Sequence, residues 1–368
     1  MSNSGESPRP SPSVSVVVPT YKEAENLPLL LERLGKLREA GLQLEVLIMD
    51  DDSRDGTVEL IASRAQPWVR LIVRTGNRGL SPAVIEGLKN ARHEVVVVMD
   101  ADLSHPPEQI PKLLEALSEG NEFAIGSRYV PGASTGEDWG WLRALNSKGA
   151  TWLARPFTSV YDPMSGFFAF RRELLDRADP LNPVGYKIGL ELLVKCRVQR
   201  VAEIPIHFAQ RHKGNSKLTF AEQLRYVQHL RRLFIHRYPN WSYLLQFLVV
   251  GGSGVVVNLV ALTILLWMKI PVKPAIAAAI SVSMLFNFGL NRRFTFSYAR
   301  ASSLAAQLAG FVAACSIGAL LNYGVTVWTL SAWPHLSPQA APLAGIVAGT
   351  GVNYVFCRFL VFRARKPQ

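Results

Sequence analysis

Between Val14 and about Phe123 two apolar patterns alternate along the chain. Val14–Val18, Leu44–Met49, Val69–Val73 and Val95–Met99 are short runs of β-branched and apolar residues, as expected of strands buried on both faces. The intervening segments Asn26–Ala40, Thr57–Arg64, Ser81–Ala91 and Pro107–Glu119 carry apolar residues at helical spacing. This alternation predicts a doubly wound α/β domain with a mostly parallel sheet. In such sheets ligands bind beyond the carboxyl ends of the strands, so the polar residues that end each run are the first place to look for chemistry.

The pattern changes near residue 243, beyond which the chain is almost continuously apolar to 362. Four spans, near 244–268, 274–291, 304–330 and 342–362, each approach the ~20 residues needed to cross hydrocarbon. They fall into a repeat. Phe247, Gly254 and Asn258 recur as Phe311, Gly318 and Asn322, and Asn287, Arg292 and Phe296 recur as Asn353, Arg358 and Phe362, so a two-helix hairpin is duplicated. Asn258, Asn287, Asn322 and Asn353 are costly in lipid unless they face other helices, and interhelical bonds are expected of them; a path for a lipid phosphate is the alternative. Ahead of the spans, Phe220–Tyr238 sets Leu224, Val227, Leu230, Leu233 and Phe234 among Arg225, Arg231, Arg232 and His236, an amphipathic helix for the membrane interface or for packing on the first domain. The expected organisation is a tail over 1–13, an α/β domain over 14–217, an interfacial region over 218–242 and an all-α four-helix transmembrane domain over 243–362.

The 368 residues carry a formal net charge of +12, which without positional information would suggest nucleic acid. The basic residues instead flank the apolar spans: Arg225, Arg231, Arg232 and Arg237 before them, Arg292, Arg293, Arg300, Arg363, Arg365 and Lys366 at their ends. That placement fits a bilayer and not nucleic acid, and puts both termini and the α/β domain in the cytoplasm, at the plasma membrane in a prokaryote. Met1–Ser13 is rich in Ser and Pro and has no apolar stretch, so neither signal peptide nor anchor is expected there. Cys196, Cys315 and Cys357 match neither zinc spacing nor a disulfide framework.

Three predicted strand ends carry acids. The first leads into Pro19-Thr20-Tyr21-Lys22-Glu23-Ala24-Glu25-Asn26, the second into Asp50-Asp51-Asp52-Ser53-Arg54-Asp55-Gly56-Thr57, the fourth into Asp100-Ala101-Asp102-Leu103-Ser104-His105. Asp55 suits a helix N-cap. Asp100 and Asp102, spaced i, i+2, share one side of an extended chain and can face one hard cation beside substrate phosphates. No glycine-rich dinucleotide or P-loop motif is present, which leaves phosphates to a metal and to side chains. His105, before Pro106-Pro107, reads as a loop residue, and Glu191, in a mostly apolar helix, as a structural acceptor.

Together with Gly126-Ser127-Arg128-Tyr129 and Asp162-Pro163-Met164-Ser165-Gly166-Phe167, these segments resemble, in order and over about residues 14–236, the family 2 glycosyltransferases of GT-A fold, closest to polyprenol-phosphate (dolichol-phosphate) mannose synthases. The membrane half resembles GtrA-type domains. The resemblance implies inverting transfer of mannose from GDP-mannose to a polyprenyl or dolichyl monophosphate at the lipid bilayer, with Mg²⁺ or Mn²⁺. It implies that Pro19, Tyr21, Glu23, Met49 and Asp51 surround the nucleoside; that Asp100, Ala101 and Asp102 meet the diphosphate; and that Asp100, Asp102 and Ser104 hold the metal, Ser104 standing where relatives often carry Gln. By the same likeness Asp102, Arg128 and Arg143 are catalytic, Arg143 and Ser147 contact the acceptor phosphate, and Arg211, Lys213 and Lys217 belong to a basic loop that closes on the diphosphate. The connection 131–138 is expected to move to admit the lipid head group. UDP-glucose is the alternative donor, and a lipid-linked sugar translocator with a non-catalytic soluble half is the alternative of a different class.

Overall fold

The computed structural model describes residues 13–135, 141–182, 184–209, 220–333, 335 and 341–363, which divide into two compact units, Met1–Arg237 and Tyr238–Gln368. In the first unit the strands and helices alternate as β1 (Val14–Thr20), α1 (Leu27–Glu39), β2 (Leu44–Asp50), α2 (Thr57–Arg64), β3 (Val69–Val73), α3 (Leu80–Asn90), β4 (Val95–Val98), α4 (Ile110–Ser118) and β5 (Phe123–Ser127). There follow β6 (Ser134–Thr135), α5 (Trp141–Ala154), β7 (Phe168–Arg171), α6 (Ile188–Lys195), β8 (Val201–Pro205), β9 (His207–Phe208) and α7 (Phe220–Arg237).

Among the described residues seven strands form one sheet in the order β3-β2-β1-β4-β7-β5-β8. All neighbouring pairs are parallel except those of β7, which runs antiparallel between β4 and β5. The strand order reverses beside β1 and β4, and β7 begins where β4 ends, with Val98 opposite Phe168. The carboxyl ends of β1, β2, β4 and β5 and the approach to β7 therefore share one edge. Two apolar layers hold the sheet. Val16, Val18, Val46, Ile48 and Val97 pack with Leu27, Leu30, Leu31 and Leu34 of α1 on one face; Val17, Leu47, Met49, Val96 and Val98 pack with Val84 and Leu88 of α3 on the other. Alternate residues of one strand thus serve opposite layers, and the edge is left as the place for polar groups.

In the second unit the helices are α8 (Pro239–Trp267), α9 (Val272–Leu290), α10 (Leu304–Ala332) and α11 (Ala341–Phe356). Among the described residues four stretches, Pro239–Trp267, Val272–Thr295, Leu304–Thr329 and Ala344–Val361, are long and apolar enough to cross a membrane. The sequence repeat is a structural repeat. The second helix of each hairpin ends in a five-residue π-helical segment, Asn291–Thr295 and Cys357–Val361, closed by Phe296 N donating to Asn291 O and Phe362 N to Cys357 O. The two closing rings, Phe296 and Phe362, stack at 4.8 Å between centroids, so the hairpins meet through equivalent residues.

Asn287 and Asn353 also play equivalent parts, though not as the interhelical hydrogen bonds expected. Each side chain fills the space a Cβ would need on the facing glycine, Gly254 and Gly318 respectively. The Oδ1 of each is buried and accepts no hydrogen bond among the described residues, so the amide acts as a wedge between close backbones. Gly318→Ala should therefore force the α10–α11 pair apart and lower the melting temperature of the detergent-solubilised chain by the equivalent of ~1–3 kcal/mol, the usual cost of overpacking. Adding Asn353→Ala should recover part of that loss; no recovery would mean the wedge is not what fixes the spacing.

Candidate active site

The loops beyond β1 and β2 are joined by hydrogen bonds before any ligand is considered. Lys22 N donates to Ser53 Oγ at 2.9 Å and Ala24 N to Asp55 Oδ2 at 3.0 Å, while Asp55 Oδ1 accepts from Thr57 N and Oγ1 at the start of α2. The N-cap position of α2 is Gly56 and not Asp55 as its spacing predicts; Asp55, one residue earlier, bonds the first helical residue and ties the two loops together. Asp50 is buried and turns inward, accepting from Thr20 Oγ1 and Ser53 N. Asp52 pairs with Arg54 and Arg78 on the outside, and these cations hold its carboxyl below the usual carboxylate range, Arg54 having the larger effect. Asp51 reaches the cavity wall. One of its oxygens meets Arg74 and the other accepts from Gly79 N at 2.6 Å. Arg74, 2% exposed at the side chain, also pairs with Glu86 at 2.8 Å and donates to Asn77 O. It fixes both Asp51 and the turn through Gly79, whose φ of 132° only glycine adopts without strain.

The acid pair stands at the end of β4. Asp102 is buried, its Oδ1 accepting from Ser104 N at 3.1 Å and Ser104 Oγ at 2.6 Å. Ser104 is 1% exposed and its hydroxyl proton goes to Asp102, so it reaches the site through that carboxylate. The side chain of Asp100 is one-third exposed to the cavity. Its backbone N donates to His105 Nδ1 at 3.3 Å, and the His105 ring is buried against Phe167 and Phe208. His105, legible only as a loop residue, therefore sets the backbone of the first acid. Across from Asp100 lies Gly166, where a Cβ would sit 3.2 Å from Asp100 Oδ2; the DPMSG turn needs glycine there to leave the carboxylate room.

Beyond β5, Arg128 makes a two-pronged pair with Asp162, Nε to Oδ2 and Nη2 to Oδ1 both at 2.7 Å, and its backbone N donates to the same carboxylate. Asp162 is fully buried. The guanidinium lies 5.3 Å and 5.2 Å from the Tyr129 and Phe208 ring centroids. Tyr129 in turn donates its hydroxyl to Ser147 Oγ on α5 at 2.6 Å.

One cavity of about 1250 Å³ collects these groups. Pro19, Tyr21, Glu23, Asp51, Asp100, Ala101, Asp102, Arg128 and Ser147 line it, as do His105, Gly166 and Lys187. Its wall continues onto α5 and α7 through Ala150, Trp152, Leu153, Tyr226 and Val227. Tyr226 donates its hydroxyl to Ala150 O at 2.6 Å and ties the two helices. Trp152, Leu153 and Val227 remain 72%, 42% and 54% exposed, a large apolar surface for one rim.

Met49 is not among the lining residues. It is fully buried in the layer between β2 and α3, because alternation along β2 turns its side chain inward; the expected role of that side chain at the nucleoside is corrected. The side chain of Arg143, on α5, and Arg211, Lys213 and Lys217 lie outside the described residues. Of the connection 131–138, Ser134 and Thr135 pair with His207 and Phe208 as a two-stranded ladder, a constraint that its Gly and Ser content did not suggest; 136–138 are outside the described residues. Glu191 is structural, as expected: it is buried, pairs with Lys195 at 2.8 Å and accepts from Asn182 N at 2.6 Å.

The fold and the strand-edge acids define the class: residues 15–178 match Glycosyl transferase family 2 and residues 246–362 match the GtrA/DPMS transmembrane domain. The chain is a glycosyltransferase with a membrane domain. It is 41% identical over 307 residues to a dolichol-phosphate mannosyltransferase of Pyrococcus furiosus, covering 81% of this chain and 85% of that protein. A dolichol-phosphate mannosyltransferase of Saccharomyces cerevisiae is 41% identical, covering 61% of this chain and 88% of that protein. A polyprenol monophosphomannose synthase of Mycolicibacterium smegmatis is 37% identical, with 58% and 85% covered. The chain belongs to the polyprenol-phosphate (dolichol-phosphate) mannose synthase family.

Proposed function

We propose that the enzyme transfers mannose from GDP-mannose to the phosphate of a polyprenyl-type monophosphate, giving a β-mannosyl phospholipid and GDP. The observation that carries this reading is that one cavity joins an acid pair at a strand end to an exposed apolar rim, which suits a substrate pair with charged heads and a hydrocarbon tail. The catalytic unit and both termini face the cytoplasm in this reading, from the basic residues that flank the spans. The amphipathic face of α7, with Leu224 and Val227 outward, would lie at the membrane interface.

Asp100 and Asp102 offer a hard cation carboxylate oxygen, one partly exposed to the cavity and one fixed by Ser104, and that donor chemistry fits Mg²⁺ or Mn²⁺ completed by phosphate and water oxygens. Such an ion would supply charge stabilisation to the departing diphosphate. The chain's own part is orientation. Arg74 holds Asp51 and the Gly79 turn against the nucleoside, His105 and Ser104 hold the two acids, and the Arg128–Asp162 pair holds Tyr129 and, through it, Ser147 beside the acceptor. No general base is required: a phosphate monoester with its second pKa near ~6 is already largely dianionic at neutral pH. Its oxygen attacks C1 of the mannose as the bond from C1 to the β-phosphate oxygen breaks, and GDP carries away the electron pair. A single displacement inverts the anomeric centre.

The test is incubation of detergent-solubilised protein with labelled GDP-mannose or UDP-glucose, a short polyprenyl phosphate, and Mg²⁺, Mn²⁺ or EDTA. Label should enter lipid from GDP-mannose alone, as the β-anomer by NMR, and fall to background with EDTA. Label only from UDP-glucose would overturn the donor, an α-linked product would overturn single displacement, and full transfer in EDTA would overturn the metal.

A further inference from the structure

The cavity's charges are mostly spent inside the protein. Asp51 is engaged by Arg74, Arg78 pairs with Asp52 at 2.5 Å, and Arg128 is held on both prongs by Asp162. Lys187 is different. It lines the cavity at the turn leading into α6, and among the described residues no carboxylate lies within ion-pair distance of its ammonium and no acceptor within hydrogen-bond distance. Its backbone is well anchored: Lys187 O accepts from Glu191 N, and two residues earlier Gly185 O accepts from Ser81 Oγ at 2.6 Å. The residue is therefore anchored at a set place on the wall through its backbone. It faces the same space as Asp100 and Arg128.

We propose that Lys187 binds a phosphate group of the substrates, as a point charge that completes the anion site beside the metal-binding acids. This deepens the mannosyl-transfer reading and rests on it for the identity of the phosphate, which is either the diphosphate of the nucleotide sugar or the monophosphate of the lipid acceptor. An ammonium removed from bulk water without an internal acceptor is costly to keep, and the cost is recovered when an anion with several acceptor oxygens enters. The environment agrees. Burial, then the nearby Arg128, push the lysine down to about 8, while Asp162, Asp100 and Glu222 only partly oppose them; it still carries its proton at neutral pH and is short of a counter-charge. No strand-end or motif signal marks Lys187 in the sequence, since it stands in a loop before an apolar helix.

The experiment compares the full-length wild type with Lys187→Met, Lys187→Gln and Lys187→Arg in detergent. Binding of pyrophosphate and of GDP, each with Mn²⁺, is measured by calorimetry, and KM for a short polyprenyl phosphate by label transfer. Both neutral variants should weaken pyrophosphate and GDP, or raise the acceptor KM, by about tenfold or more, the worth of one charge-assisted hydrogen bond, and Arg should restore most of it. Weakened GDP assigns the donor diphosphate; a raised acceptor KM with GDP binding intact assigns the lipid phosphate. All three constants within twofold of wild type in either folded neutral variant would overturn the proposal. Lysine-dependent pyrophosphate binding in a protein that transfers no mannose would leave the anion site standing and remove the mannosyl reading instead.

Discussion

Asp102→Asn should abolish transfer with the protein still folded, a loss of about 10²–10³-fold or more in kcat, the scale on which removal of one preorganised electrostatic group acts. The amide keeps Oδ1 as acceptor, so the bonds from Ser104 N and Oγ that shape the turn survive the change and only the charge is removed. Binding of GDP with Mn²⁺ should weaken in parallel, whereas melting of the catalytic unit should stay close to wild type. Asp100→Asn should behave alike, because the hydrogen bond from the backbone N of residue 100 to His105 Nδ1 does not depend on the charge of the side chain. Transfer within a few-fold of wild type in either variant would remove the acid pair from the mechanism. A loss of folding in both would show that the pair is structural.

Arg128→Met should have the largest effect on stability. Asp162 is fully buried and takes two side-chain bonds and one backbone bond from Arg128. Removing the guanidinium strands a carboxylate away from water, at a cost of ~3–5 kcal/mol. Asp162→Asn keeps an amide, and the Tyr129 and Phe208 rings, beside the cation, and should cost less. The double variant should be more stable than Arg128→Met alone, since no buried charge is then left behind. Thermal unfolding of the four proteins gives the coupling directly. Additive losses would show that the two residues act apart. Activity distinguishes a further point: if the double variant folds but transfers poorly, Arg128 also serves the substrates.

The sheet edge was legible because the physics there is local. A four-residue valine run followed by Met99, Asp100 and Asp102 reads as a buried strand delivering acids to its end, and the Gly254 and Asn287 repeats could be aligned by spacing alone. What escaped was set by partners distant in sequence. Arg128 and Asp162 are 34 residues apart, so each was visible in a motif but the pair was not. Arg74 follows β3 as Asp51 follows β2, yet a lone arginine after a strand carries no signal until the second strand's acid is placed beside it. Met49 erred the other way: the family resemblance placed it at the nucleoside, and strand alternation turned its side chain into the core. The direction of β7 was equally hidden, because Phe168–Arg171 reads as a strand of either sense and the pairing with Val95–Val98 decides.

The glycine–asparagine wedges of the membrane unit bear on how this sequence can change. Gly254 cannot gain a side chain while Asn287 keeps its amide, and the same holds for Gly318 and Asn353. Drift at either position alone meets a packing barrier, whereas a larger residue on one helix with a smaller one on the other keeps the spacing. Substitution at these two pairs should accordingly be correlated among relatives, independently in each hairpin, while exposed apolar positions of the same helices, such as Val256 and Leu320, should vary without such coupling.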